Sequence, residues 1–256
     1  NNTRFVSDET KQKVMHAIEE LNYRPSLIAR GLISKRTKTA GLLISDVVNP
    51  FYPEVIHGVE EVALEHGYQV FLCNTNYDLD RGLKFVHSLI DKQVDGVLCM
   101  TSSLSDEMVV ELYQNHIPVV VLDWEATRIK EFAATITIDF KPGIFEAVDH
   151  LIELGHERIA HISGPLNLWT SRIRRDLFLE ALGKNGQDAD KAIIHQGNLR
   201  IDGGRKAIME VMNLPQKPTA IFAANDMTAL GVIWGAREIG IDVPEDLSII
   251  GLDNIE

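Results

Sequence analysis

The sequence predicts an α/β fold with two doubly wound parallel-sheet lobes, preceded by a short helical segment. Two observations predict the lobes: short apolar runs alternate with segments of helical periodicity, and this alternation occurs twice along the 256 residues. A third observation separates the first 39 residues, which hold eight Lys and Arg against four Asp and Glu, from the rest, which hold 17 against 33. A basic arm on an acidic body indicates an anionic partner for the arm, although a solvated basic linker would have the same charge.

The first helix is predicted to begin after Ser7, which is a good N-cap residue. Val14, Ile18 and Leu21 recur at helical spacing through residue 22. Pro25 ends this helix, and a short second helix over residues 26–33 is weak in isolation because it is brief and contains Gly31.

The first lobe is predicted from four short apolar runs, of which the first three are each followed by a helix, as expected for parallel strands that are buried on both faces. These runs are residues 40–45, 68–73, 95–100 and 118–123, and the helices after the first three end at Gly67, near Lys92 and at Asn115. The pattern then restarts with runs at 134–139, 158–163, 192–197, 219–224 and 247–253, separated by helices that end near Gly155, Leu182, Met212 and Gly240.

Two such units imply a cleft between two lobes, and ligands of these sheets bind outside the carboxyl ends of the strands. The first candidates for a binding site are therefore the polar and aromatic residues that directly follow the apolar runs: Asn49–Tyr52, Asn74, Thr101, Asp123, Trp124, Asn225, Asp226 and Asp253.

The motifs of several enzyme classes are missing from the sequence. It contains no G-x-G-x-x-G after a strand, no P-loop, no H-E-x-x-H, no G-x-S-x-G and no Cys/His cluster at zinc spacing. We therefore predict neither an enzyme nor a bound cofactor or metal. Cys73 and Cys99 each end an apolar run and are predicted to be small buried hydrophobic residues rather than a disulfide. There is no apolar run long enough to span a membrane and no secretory signal.

Several segments, in order, resemble the LacI/GalR family of bacterial transcription repressors. They are VSDETKQKVMHAIEELNYRPSLIARGL, KTAGLLISDVVNPFY, LGHERIAHISGP and AIFAANDMTALGVIWGAREIGIDVPEDLSIIGLDN. The resemblance implies a cytoplasmic, dimeric, ligand-responsive repressor with an effector domain similar to periplasmic sugar-binding proteins. It also implies four parts: the remnant of a helix-turn-helix headpiece (1–24), a hinge segment (25–39), an N-terminal lobe (40–138) and a C-terminal lobe (139–256). Relative to the family, we expect the first two headpiece helices and further C-terminal elements to be missing.

The resemblance assigns a DNA-binding role to the hinge. In this family, paired hinge helices enter the minor groove and insert a leucine between base steps, and Leu32 matches that leucine. Arg30, Lys35 and Arg36, together with Lys38, are placed to contact phosphates. The alternative is that Leu32 is an ordinary packing residue of a linker helix, which would require burial near four cations.

The resemblance also assigns effector contacts. The positions that match are Asn49, Phe51, Tyr52, Asp123, Arg172, Asn225 and Asp253, with Ile138 and Leu199 in the pocket wall. Trp124 stands where the similar ribose-binding proteins have an arginine, and it would stack on a sugar ring or narrow the pocket. Arg174 matches the family's structural arginine and is left out, and Asp226 is assigned to helix capping.

Two acids, one arginine and several aromatic rings favour a sugar or polyol as effector, and make a purine less favoured. A phosphorylated sugar would need a further cation beside Arg172. A transport or chemotaxis sugar-binding protein would share the lobes but would have no use for residues 1–39. A hydrolase on the same fold would need a catalytic constellation that the sequence lacks.

Overall fold

The computed structural model describes residues 6–23, 36–101, 104–122 and 129–255. We number the helices and strands within these ranges. The α-helices are α1 Asp8–Glu20, α2 Phe51–Glu65, α3 Leu79–Asp91, α4 Asp106–Gln114, α5 Lys141–Glu153, α6 Trp169–Lys184, α7 Ile201–Val211 and α8 Asp226–Glu238. A 3-10 turn covers Ala189–Lys191. None of these helices is both long enough and apolar enough to cross a bilayer.

The strands form two all-parallel sheets, as the alternating pattern predicts. The first sheet has the order β2-β1-β3-β4-β5 and the second has the order β7-β6-β8-β9. The strands are β1 Thr39–Ile44, β2 Gln69–Asn74, β3 Gly96–Met100, β4 Val119–Leu122, β5 Ala134–Ile136, β6 Ile159–Ser163, β7 Ile193–Gln196, β8 Ala220–Ala223 and β9 Ser248–Ile250.

Strand β5 differs from the order in which the sequence pattern restarts. The repeat pattern restarts at residues 134–139 and so suggests that they open the second unit, whereas the lobe bounds of 40–138 implied by the family resemblance include them in the first. Ala134–Ile136 pairs with β4 and completes the first sheet. The second sheet begins only with β6, after α5. A three-residue apolar run carries no information about which neighbour it pairs with, so only tertiary pairing decides its sheet.

Helix α1 begins where the sequence predicts and ends at Glu20, two residues before the predicted end. Ser7 precedes it in extended conformation, and its side chain accepts a hydrogen bond from the Thr10 backbone N–H at 3.3 Å. The helix buries none of its residues, and Val14 and Leu21 are largely exposed. Its apolar stripe therefore lacks a covering layer within the described residues.

Glycines bring α7 and α8 into close contact. A Cβ atom on Gly204 would collide with the Thr228 carbonyl oxygen of α8, and one on Gly231 would collide with the Ile201 carbonyl oxygen of α7. The two helix backbones therefore touch without intervening side chains. This contact fixes the starts of both helices, Ile201 and Asp226, relative to each other at the cleft end of the second sheet.

The two cysteines are buried thiols, as predicted. Cys73 in β2 and Cys99 in β3 both pair with Leu43 of the intervening strand β1. Two strand spacings of about 4.8 Å separate them, which exceeds the reach of a disulfide. Burial raises the pKa of Cys73 to about 11 and that of Cys99 to about 12.

His161 is the main titratable group in the core of the second lobe. It lies in β6 and is fully buried, with its ring stacked on Phe222 and tilted against Phe178, each at a centroid distance of 5.2 Å. Nδ1 contacts the Phe222 carbonyl oxygen at 2.9 Å, and Nε2 has no hydrogen-bond partner among the described residues. Burial lowers the pKa of His161 to about 4, so the folded protein holds the neutral ring.

This burial predicts acid sensitivity. An unfolded histidine is protonated below pH 6.5, while the folded one stays neutral to about pH 4, so stability is lost as pH falls through this window. On the order of 2 kcal/mol should be lost between pH 7.5 and pH 5 through this residue. Urea unfolding at both pH values should show a smaller loss for His161→Phe than for wild type. An equal loss in the two proteins would contradict the assignment.

Candidate functional site

A cavity of about 260 Å³ lies between the two lobes, at the carboxyl ends of both sheets. Both lobes contribute to its wall in similar measure, as expected for ligand sites of parallel sheets. The first lobe supplies Ser45, Asn49, Phe51, Tyr52, Tyr77, Met100, Thr101 and Leu122. The remaining lining residues are Ile138, Phe140, Thr170, Arg174, Leu199, Asn225 and Asp253.

The loop after β1 builds one side of the cavity. Asp46 Oδ1 accepts a hydrogen bond from the Val48 N–H at 3.1 Å, and Asn49 Oδ1 accepts one from the Phe51 N–H at 3.0 Å. These two side-chain turns fix the backbone that leads into α2. They also aim Asn49, Phe51 and Tyr52 at the cavity, so the structure brings together these three predicted residues.

Hydroxyl groups line the base of the cavity in the first lobe. The Tyr52 hydroxyl hydrogen-bonds to Ser45 and Tyr77, and burial raises the pKa of Tyr52 above its usual value. Below it, the Thr75 and Thr101 hydroxyl oxygens are 2.8 Å apart, and the Ser45 hydroxyl donates to that of Thr101 at 3.3 Å. Tyr77 and Ser45 were not among the sequence predictions, although they follow strands in the same way as the predicted residues.

A pair of opposite charges occupies the second-lobe wall. Arg174 Nη2 lies 3.8 Å from Asp253 Oδ1, and both side chains are largely buried. Burial raises the pKa of Asp253 to about 6, although Arg174 and a hydrogen bond from Asn49 act in the opposite direction. The Arg174 guanidinium also lies 4.6 Å from the Phe140 ring centroid and donates to the Ala224 carbonyl oxygen at 2.7 Å. Its buried Nε has no hydrogen-bond partner within the described residues.

Asn225 connects three parts of the second lobe. It is the N-cap of α8, and its Oδ1 accepts hydrogen bonds from the Thr228 backbone N–H at 2.9 Å and the Thr228 hydroxyl at 2.6 Å. Its Nδ2 donates to the Leu199 carbonyl oxygen at 3.1 Å. Leu199 has a positive φ of 64°, which is unusual for a branched side chain and is held here by Asn225.

Asp226 was assigned to capping, but its carboxylate has another role. Asn225 is the cap, while Asp226 Oδ2 accepts from the Ile255 N–H at 2.9 Å, and the Asp226 N–H donates to the Leu252 carbonyl oxygen at 2.8 Å. Asp226 therefore holds the segment that carries Asp253.

Arg172 is not part of the cavity wall, which corrects its predicted position. Its Nη1 donates to the carbonyl oxygens of Leu166 and Asn167 at 3.1 and 2.9 Å, in the loop before α6. Residues two apart on a helix point about 200° apart, so Arg172 and Arg174 cannot share a face, whereas Thr170 and Arg174 do. The sequence contains both arginines, and only the orientation of α6 decides that Arg174 is the one that lines the cavity.

The other predicted site residues lie largely outside the described part of the chain. These are Asp123 and Trp124 of the effector set, and Arg30, Leu32 and Lys35 of the DNA-binding set. Leu122, which precedes Asp123, lines the cavity. Arg36 is described and lies at the amino end of the first sheet, on the opposite side of the lobe from the cleft. Contacts of these residues with an effector or with DNA remain predictions.

Asp95 ties the end of the predicted hinge segment to the first lobe. Its Oδ1 accepts a hydrogen bond from the Thr37 N–H at 2.9 Å, and its Oδ2 accepts one from the Lys38 N–H at 3.1 Å. Lys38 Nζ lies 4.3 Å from the Tyr68 ring centroid. These contacts couple the orientation of residues 37 and 38 to the first sheet.

Two family models match the chain. The model for the periplasmic binding proteins and sugar binding domain of the LacI family matches residues 37–255, and the model for bacterial regulatory proteins of the lacI family matches residues 1–26. The chain belongs to the LacI family. The HTH-type transcriptional repressor PurR of Aliivibrio salmonicida is 38% identical over 257 residues, covering 100% of this chain and 77% of that protein.

Solved structures of family members share the fold. The lac repressor dimer bound to operator and the anti-inducer ONPF superposes with a TM-score of 0.83 at 26% identity, covering 97% of this chain and 74% of the repressor chain. A LacI family regulator from Enterococcus faecium with bound ribose has a TM-score of 0.76 at 30% identity, covering 85% and 78% of the two chains. Membership makes this LacI-family chain a DNA-binding transcriptional repressor with a ligand-binding domain.

The position of Asn225 predicts a structural cost for its removal. Asn225→Ala loses the α8 cap and leaves the Leu199 carbonyl without its donor, so the free energy of unfolding should fall by about 2 kcal/mol. Asn225→Asp keeps the capping oxygen but loses the amide donor, so its free energy of unfolding should fall by less than that of Asn225→Ala. Urea unfolding of the three proteins measures both effects. Equal stability of wild type and Asn225→Ala would contradict this role.

Proposed function

We propose that this repressor binds a small neutral polyhydroxylated effector, a sugar or polyol of monosaccharide size, between its two lobes. The observation that carries the proposal is the Arg174–Asp253 pair, which faces a cavity lined by aromatic rings. Vicinal hydroxyls of a sugar can donate to the Asp253 carboxylate and accept from the Arg174 guanidinium at the same time. The apolar faces of the sugar ring would contact Phe51, Tyr52 and Phe140.

The charge balance of the cavity disfavours a charged effector. Arg174 and Asp253 already oppose each other, so neither an anionic nor a cationic ligand would find an uncompensated partner in the described wall. In the set of effector contacts that we propose, Arg174 takes the place first given to Arg172, beside Asn49, Phe51, Tyr52, Asn225 and Asp253. Asp123 and Trp124 remain in the set on the family resemblance.

The cavity size limits the effector. Its volume of about 260 Å³ lies just below the usual range for small-molecule pockets, about 300–1,000 Å³. A monosaccharide suits this space, and a disaccharide would require wider separation of the lobes. The bound ribose of the Enterococcus faecium regulator supports a sugar. A purine base is the second candidate, because Phe51, Tyr52, Tyr77 and Phe140 could stack on a planar ring.

The hinge segment and the exposed surface of the first lobe fit a repressor that responds to this effector. Binding can shift operator affinity only through different effector affinity for two arrangements of the lobes. Residues 37 and 38, held by Asp95, would transmit that change to the hinge segment 25–39. The protein would act as a homodimer at its operator in the cytoplasm. An apolar surface for a second copy is present, since α2 buries no residue and exposes Val62 and Leu64 beside Phe71 and Leu72 of β2.

The match of residues 1–26 to the DNA-binding model argues against the alternative of a transport or chemotaxis protein. Such a protein would bind a sugar with the same lobes but would have no operator. Measuring operator affinity with and without effector separates the two functions.

Calorimetry with ribose, glucose, galactose, cellobiose and hypoxanthine should identify the effector class. We expect one monosaccharide to bind more tightly than cellobiose or hypoxanthine. Its affinity should fall about tenfold from pH 7.5 to pH 5. The Asp253 carboxyl group, with a pKa of about 6, must be deprotonated to accept hydrogen bonds from the sugar hydroxyls. Asp253→Asn should weaken binding and remove this pH dependence.

Glu153→Gln is the matched control for this experiment. It also converts a carboxylate to an amide in the second lobe, but Glu153 is an exposed residue at the end of α5. Its affinity and pH profile should equal those of wild type. Tighter binding of hypoxanthine than of every sugar would reject the sugar proposal, and unchanged sugar affinity in Asp253→Asn would reject the site.

Leu32 provides the test of the hinge. In the protein with its complete DNA-binding headpiece, Leu32→Ala should weaken operator affinity at least tenfold and reduce DNA bending, because the apolar wedge between base steps is lost. Effector affinity should not change. Fluorescence anisotropy with a labelled operator measures the first effect and calorimetry the second. Unchanged operator binding and bending would remove the wedge assignment.

A further inference from the structure

Arg200 bridges the two lobes outside the effector cavity. It precedes α7 in the second lobe, and its Nε donates to Asp46 Oδ2 of the first lobe at 2.9 Å. Its Nη2 lies 2.8 Å from the same oxygen and donates to Asn76 Oδ1 at 2.6 Å. The guanidinium also lies 5.7 Å from the Tyr77 ring centroid. One side chain of the second lobe therefore contacts the loops after both β1 and β2.

Each member of this bridge is next in sequence to a residue of the cavity wall. Asp46 follows Ser45, Asn76 precedes Tyr77, and Arg200 follows Leu199. An effector that contacts Ser45, Tyr77 or Leu199 thus acts on the neighbouring backbone of the bridge.

The loop that carries Arg200 is held firmly on the second-lobe side. Leu199 has its positive φ and gives its carbonyl oxygen to Asn225, while the Arg200 N–H donates to Asn198 Oδ1 at 3.0 Å. Because α7 begins at Ile201 and packs against α8 through glycine contacts, Arg200 has little freedom to follow the first lobe. Separation of the lobes would therefore break the bridge rather than stretch it.

The partners on the first lobe are also fixed. The Asp46 side chain is buried, and its second oxygen holds the Val48 N–H. The Arg200 side chain is 40% exposed, so water can replace Asp46 around the guanidinium when the lobes part. The bridge therefore stabilises one arrangement of the lobes while leaving a modest barrier to opening.

We propose that Arg200 and Asp46 form an interlobe latch that holds the cleft closed and sets how fast the effector enters and leaves. The inferred effect on effector entry and release rests on the proposed function. The inferred effect on lobe closure rests on the Arg200–Asp46 bridge alone. Arg200 is thus a positioning residue that acts through the lobes and does not touch the effector. Rupture of the latch precedes both entry and release, so its loss accelerates both.

The latch is tested by measuring the distance between the lobes. Spin labels on Asp80→Cys in α3 and Lys206→Cys in α7 report this distance by double electron–electron resonance, since both positions are exposed and the native Cys73 and Cys99 are buried. Arg200→Gln and Asp46→Asn should each lower the closed-to-open ratio on the order of tenfold. The double variant should match Arg200→Gln, because that substitution already removes the interaction with Asp46.

Arg205→Gln is the matched control. Arg205 lies in α7, the helix that follows Arg200, and pairs with Glu238 of α8 at 2.9 Å, so this variant loses a comparable ion pair within one lobe. Its distance distribution should equal that of wild type. A wild-type distribution in Arg200→Gln, or an equal shift in Arg205→Gln, would overturn the latch.

Stopped-flow binding of ribose, glucose and galactose adds a readout that a merely structural role would not produce. Association and dissociation rate constants should both rise in Arg200→Gln, so that the dissociation constant changes less than either rate. A rise in the dissociation rate alone would instead make Arg200 an ordinary effector contact and reject the latch. If no sugar binds, the proposed effector fails, but the distance measurement still decides whether the latch exists.

Discussion

The parallel direction of the described strands is the constraint on which the rest of this structure depends. Parallel strands place all their carboxyl ends at one edge of a sheet, and the helices that connect them occupy both faces. The loops that leave this edge are then the only connections free to carry polar side chains toward a ligand. Because the carboxyl ends of both sheets meet at the same cleft, the loop after β1, the start of α6 and the loop after β9 converge on one cavity.

Several contacts fix the second-lobe wall of the cavity. Glycine contacts between α7 and α8 fix two helix starts, and Asn225 joins the cap of α8 to the strained Leu199. The same asparagine lines the cavity. An effector contact with Asn225 would thus act on a scaffold that also positions Arg200. This connection between a binding residue and an interlobe contact gives the proposed allostery a physical route.

The charge arrangement separates the two proposed roles of the chain. Cations dominate residues 1–39, where the resemblance places DNA contacts, while the lobes carry the acidic excess. Acidic lobes repel the DNA backbone and leave the basic arm as the favoured contact. In the described part of the lobes, Arg174 pairs with Asp253 and Arg200 pairs with Asp46 across short distances, so a neutral ligand does not disturb their balance. Asp95 marks the border between the two regions, since it holds the last residues of the basic arm against the first sheet.

The sequence alone determined the alternation of strands and helices, the cleft, the family and the predicted places of Asn49, Phe51, Tyr52, Asn225 and Asp253 in its wall. Local periodicity and the position of a residue after a strand carry that information. Only tertiary structure decided which sheet receives β5, which arginine of α6 faces the cavity, and that Arg200 reaches Asp46 across 154 positions of sequence. These outcomes depend on strand pairing, helix rotation and lobe packing, and neither residue type nor spacing along one chain encodes them.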